Sequence, residues 1–210
     1  MDREATVEMS GRAGGPERSW QVFRWGLLSF LIAACLAAGH APDARAQDGT
    51  PSEYQVKAAF LYNFAKFVEW PDGDFADAGA PLVIGILGED PFGDAIDEVI
   101  KGKMVNGRPL VIRRLKQTQS LGTCHILFIS SSEKKRLGQI VEDLRMASVL
   151  TVGEAEAFVQ AGGIVGFVME DGRVRFEINA DGAERAQLRV SSKLMALAKV
   201  IRNGQSRGKD

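Results

Sequence analysis

The chain has 210 residues, 26 Lys and Arg against 27 Asp and Glu, and a hydrophobic fraction of 45%, an ordinary globular composition. Its net charge of -1 gives no general attraction to nucleic acid or an anionic membrane, both of which need a strong or clustered basic excess. Partners must therefore be recognised locally.

Arg18 and Arg24 precede an uncharged apolar run, Gly26 to Ala38, and Ala44-Arg45-Ala46 then offers a small-x-small cleavage site. This is the pattern of a secretory signal peptide over residues 1–46. As a helix the run would rise only about 20 Å against a hydrocarbon core of roughly 30 Å, which argues against an uncleaved span. Ile32-Ala33-Ala34-Cys35 is a competing lipobox that would leave a lipid-anchored Cys35, but the apolar run continues past it. Cleavage after Ala46 removes His40 and Cys35, so the exported chain keeps His125 and Cys124 alone of their kinds. An intramolecular disulfide is then impossible.

Residues 47–52 form a polar leader, and Ser52 with Gln55 has capping-box spacing. The expected helix runs from Glu53 to Glu69, ended by Trp70-Pro71. It is apolar over most of its circumference, which predicts burial on two sides, the second against more core or against another subunit. Pro81 to Leu87 reads as a strand buried on both faces. The turn Gly88 to Gly93 leads to a short helix, Asp94 to Ile100, and a loop over 101–107. Strands follow at Arg108 to Leu115 and Cys124 to Ser130. Ser132 is the expected cap of a helix from Glu133 to Leu144. A strand at Ser148 to Val152 and a short helix at Glu154 to Gln160 come next.

Ile164 to Glu170 and Arg173 to Asn179 flank Asp171-Gly172, a strong hairpin signal. A short helix near Asp181 to Gln187 follows, and Ser191 or Ser192 opens a last helix to about Arg202. Residues 203–210 read as a flexible tail. The whole predicts one α/β domain over 53–202, with a mostly parallel sheet, helices on both faces and one antiparallel hairpin.

Little of this carries catalytic chemistry. Cys124 and His125 are neighbours in a strand and point to opposite faces, so they make a poor nucleophile and base pair. Ser130 to Ser132 lack the flanking glycines of a nucleophile elbow. One His and one Cys cannot build a transition-metal site, and no cofactor signature is present. Gly88 to Phe92 lies where an α/β fold can place a small ligand, at the carboxyl ends of parallel strands. Arg173, Arg175 and Glu177 share one strand face and could recognise an acidic surface or pair across the sheet. Arg189 and Ser191, beside a helix start, are a weaker anion-site candidate.

The segments QVKAAFLYNFAKFVEWP, LVIGILGEDPFG, GKMVNGRPLVIRRL, CHILFIS, LTVGEAEAFVQAGGIVGFVMEDGRVRFEIN and LRVSSKLMALAKVI, in that order, closely resemble the YfiR family of bacterial periplasmic proteins. The resemblance spans Tyr54 to Ile201. It implies a non-enzymatic, dimeric regulator that represses the periplasmic region of a membrane diguanylate cyclase of the YfiN type, lowering cyclic di-GMP and biofilm formation. A membrane sensor kinase is the alternative partner, and a small-molecule-binding protein the alternative role. Contact residues expected on this reading are Phe64, Phe67 and Trp70 near the first helix, with Arg173, Arg175 and Glu177 on the hairpin. Redox-responsive relatives carry several cysteines, whereas the exported part here has Cys124 only.

Overall fold

The computed structural model describes residues 51–116 and 121–202. The expected signal peptide, Cys35, most of the polar leader and the tail lie outside the described residues.

The first helix, α1, spans Glu53–Phe67. Its capping box forms as the spacing predicts. Ser52 Oγ accepts from Gln55 N at 3.3 Å, and Gln55 Oε1 accepts from Ser52 N at 2.7 Å. The helix stops two residues short of Glu69 because Val68–Glu69 becomes a strand, β1, pairing antiparallel with Arg189–Val190. Phe67 O accepts from Ser191 N at 2.9 Å and extends that junction.

Chain order continues with β2 (Leu82–Leu87), α2 (Asp94–Ile100), β3 (Met104–Val105), β4 (Arg108–Leu115) and β5 (Ile126–Ile129). Next come α3 (Leu137–Asp143), β6 (Leu150–Gly153), β7 (Val165–Glu170), β8 (Arg173–Asn179), α4 (Ala180–Arg185), β9 (Arg189–Val190), α5 (Ser192–Leu197) and β10 (Lys199–Ile201). Eight strands form one sheet in the order β10-β8-β7-β6-β5-β2-β4-β3, and β1 and β9 form a separate pair. The contiguous run β7-β6-β5-β2-β4 is parallel, as the continuous apolar strand pattern predicts.

Alternate residues of the central strands feed two cores. Ile84, Ile86, Ile126, Phe128, Leu150 and Val152 pack with residues of α1, α2 and α5. Val83, Leu87, Leu127 and Ile129 meet Leu137, Ile140 and Val141 of α3 on the other face. Helices thus cover both faces, and the layer order follows from strand pleating. The second apolar side of α1 also packs within the chain: Phe60 lies against Phe167 and Phe176, and Tyr54 against Phe92.

Several details differ from expectation. Antiparallel pairing occurs three times among the described residues, at β7-β8, β3-β4 and β1-β9, and not only in one hairpin. The 101–107 loop contains β3, folded onto β4 through Asn106-Gly107. The helix expected from Glu133 begins as a 3-10 segment, Ser131–Arg136, and is capped by Ser130, because the Ser132 hydroxyl is taken by Glu89 N at 3.0 Å. No helix forms over 154–160, where the chain runs in turns and Ala157 adopts a φ of 57°. The last helix is short because Lys199–Ile201 leaves it to pair parallel with β8.

Candidate functional site

The carboxyl ends of β5 and β6 open into a cavity of about 660 Å³. It exists because β7 outruns its neighbour: β6 and β7 pair only at Val152 with Val165 and Gly153 with Gly166, so Phe167 to Met169 continue past the end of β6. The first turn of α1 forms the opposite wall, and the 154–160 turns form the rim.

Lys57 is the centre of this site. Only 4% of it is exposed, in a helix whose neighbouring residues are largely apolar. Its Nζ lies 2.5 Å from Glu53 Oε1, one helical turn earlier, and 2.5 Å from Glu154 Oε2, immediately beyond β6. Tyr54 Oη donates to Glu154 Oε1 at 3.3 Å, and the Lys57 ammonium sits 4.7 Å from the centre of the Tyr54 ring. Burial opposes the charge on Lys57, but the hydrogen bonds and charges of Glu154 and Glu53 outweigh it and raise its pKa. Burial, then the Glu154 charge, raise the Tyr54 pKa as well. Lys57 is thus held as a cation and is no general base.

Glu177 also lines this cavity, buried at its far wall and paired to Lys199 at 2.8 Å. Glu156 lines the rim and makes no ion pair among the described residues. Sequence reasoning missed Lys57, Tyr54 and Glu154. The available signal was a lysine set among Val56, Ala58 and Leu61, with a glutamate one turn before it.

A second cavity, of about 490 Å³, lies at the other end of α1 and is lined by Trp70, Phe75, Arg108 and Arg189 among others. Arg108 stands 3.8 Å from the centre of the Phe75 ring. On its other side Phe75 stacks on His125 at 4.4 Å. His125 is 8% exposed; its Nδ1 accepts from Val83 N at 3.1 Å, while its Nε2 makes no well-formed hydrogen bond among the described residues.

The residues expected to form contacts fall in different places. Phe64 is wholly buried between Phe60, Phe167 and Phe176, so its ring offers no surface to a partner. Trp70 is buried and donates from Nε1 to His125 O at 3.0 Å. Both are residues of the interior, a correction to their expected contact role. Phe67 is half-buried against the same core. Arg173 and Arg175 are exposed, while Glu177 is buried toward the first cavity, so the three do not form one polar face.

Arg189 is paired to Glu69 at 2.6 Å, and Ser191 Oγ accepts from Leu194 N at 3.3 Å as the cap of α5. With its charge matched and its hydroxyl used, this pair is poorly set up to hold an anion. The segment Gly88 to Phe92 is closed as well. Arg114 bridges Asp90 at 2.7 Å and Asp97 at 2.6 Å, and Phe92 is buried against Phe128. The open space lies further along the sheet, beyond β5 and β6.

Among the described residues no group of three or more His, Cys, Asp or Glu could hold a metal ion. No helix among them is long and apolar enough to cross a membrane. A family model described as YfiR/HmsC-like matches residues 54–199. A solved structure, a conserved domain protein from Vibrio cholerae O1 biovar eltor str. N16961, aligns with 72% of this chain at 11% identity and a TM-score of 0.48. This chain spans 60% of that protein's length.

Proposed function

The chain belongs to the YfiR/HmsC-like family, and on that premise we propose that it is a non-enzymatic periplasmic regulator in a cyclic di-GMP pathway. It binds the periplasmic sensor region of an inner-membrane signalling protein, a diguanylate cyclase, and holds it inactive. The observation that carries this reading is the match over 54–199, which takes in every element from α1 to the start of β10. The ionisable groups support binding over catalysis, since Lys57 is locked between two carboxylates and His125 is buried away from the larger cavity. The regulator acts as a homodimer, exported by its leader sequence.

Arg173 and Arg175 are the contact residues that remain exposed, and their fork geometry suits an acidic surface on the partner. Release of the partner then requires a signal that favours the free state by a few kcal/mol of differential affinity.

The test is intracellular cyclic di-GMP in the native bacterium. Deletion of the gene raises it, and the wild-type gene restores it. The variant carrying Arg173→Glu and Arg175→Glu fails to restore it while keeping the wild-type melting temperature. An unchanged level on deletion would overturn the reading.

A further inference from the structure

We propose that the cavity at the carboxyl ends of β5 and β6 is a binding site for a small organic cation, an ammonium or guanidinium group carried on an apolar or aromatic body. This goes beyond the docking role and stands on different residues.

The cavity's volume of about 660 Å³ falls in the roughly 300–1,000 Å³ range of small-molecule sites. Its place is that of ligand sites in open α/β sheets, outside the carboxyl ends of parallel strands. The lining is half apolar, with Phe158 and Phe167 at its base and the half-exposed Met169 at its edge. Four carboxylates face it, from Glu53, Glu154, Glu156 and Glu177, against two ammonium groups, Lys57 in the lining and Lys199 paired to Glu177 from outside it.

An anion is disfavoured because Lys57 already has both its partners. A bare metal ion is disfavoured too, since the acids stand around the walls and form no cluster. An organic cation meets both halves of the lining. Glu156 is exposed at the rim and makes no ion pair among the described residues, while Glu177, with 11% of its side chain exposed and one pair, to Lys199, is the poorly hydrated carboxylate, and a charge placed near it is attracted more strongly than in bulk water. The chain itself displays the recognition chemistry: Lys57 holds an ammonium between two carboxylates and over an aromatic face.

The experiment uses the purified exported chain, with phenethylammonium and agmatine as probes and phenethyl alcohol as the uncharged control. Thermal melting and titration calorimetry read binding. The two cations raise the melting temperature in proportion to the logarithm of their concentration, and the alcohol does not. In the double variant Glu156→Gln and Glu177→Gln, shown to be folded by its circular dichroism spectrum and cooperative melting, affinity falls about tenfold relative to wild type.

Absence of any shift with either cation at about 10 mM, far above a fragment's usual range, overturns the site. So does an equal shift with the alcohol, or wild-type affinity in the double variant. If penta-lysine binds and neither small cation does, the small-ligand assignment fails and the cavity is a groove for a basic segment, using the open edge of β7 beyond β6. Binding of the cations with no effect of gene deletion on cyclic di-GMP would remove the docking role and leave this site standing.

Discussion

His125 has its imidazole stacked on Phe75, an edge of Trp70 beside it, and its Nδ1 committed to the Val83 amide. Burial lowers its pKa from 6.5; the Asp74 charge and carbonyl pull upward, and Arg108 and Arg113 add to the lowering. Below pH 6.5 the unfolded chain therefore binds a proton that the folded chain resists. The stability that neutral His125 contributes is complete above pH 6.5 and is lost as the pH falls toward its folded pKa. Urea unfolding at a series of pH values should show a slope there of up to about 1.4 kcal/mol per pH unit from this one proton. His125→Asn keeps an acceptor for Val83 N and removes that slope; an unchanged slope would assign it to other groups. The structural character of His125 is legible from its place in an apolar strand, and so is the opposite facing of Cys124, which packs in the other core. Lys57 is harder to see. A lysine on an amphipathic helix is normally solvated, and only the three-dimensional approach of Glu154, 97 residues away, makes this one buried.

At the scale of elements, the 154–163 segment shows how packing overrides propensity. Glu154 to Gln160 has helix-forming residues and a glycine pair at its end, so local rules predict a short helix. The observed turns instead drive Phe158 down between Gly153 and Gly163, where a Cβ on either glycine would overlap its ring. Burial of an aromatic side chain outweighs the few tenths of a kcal/mol per residue that propensity offers. Gly163→Ala should therefore destabilise the fold by about 1–3 kcal/mol through overpacking, and Phe158→Leu should recover part of that loss in chemical unfolding. Additive losses in the double variant would refute the contact. Elements fixed by strong local chemistry read well in advance: the capping box of α1, the buried strands β2 and β5, and the Asp171-Gly172 turn, whose φ values of 50° and 71° suit a two-residue hairpin. Short edge pieces did not, since the two or three residues of β1, β3, β9 and β10 carry no readable period. They become strands only because a partner edge is close. The candidate site inherits that difficulty, because its cavity depends on β7 running past β6 and on β10 placing Lys199 against Glu177.

For the molecule as a whole, the described residues hold one cysteine, the free Cys124, so the fold must be held together without a cross-link among them. Two apolar clusters, one on each face of an eight-stranded sheet, do so by burial alone, which a domain of this size can sustain. Cys124 belongs to one of those clusters. It is 3% exposed, and burial raises its thiol pKa against the opposing charge of Arg113. Thiolate is the reactive form, so both access and ionisation protect this sulfur from exchange and oxidation. Redox control would then have to act elsewhere than on this thiol. Melting the chain from residue 47 onward with and without an excess of dithiothreitol tests the point, as does prior treatment with diamide. The melting temperature should stay within about 1 °C in all three conditions, which at this size corresponds to less than about 0.5 kcal/mol. A fall of several degrees under reductant, matched by loss of a dimer band on a non-reducing gel, would show instead that Cys124 reaches a second chain through a rearranged strand end.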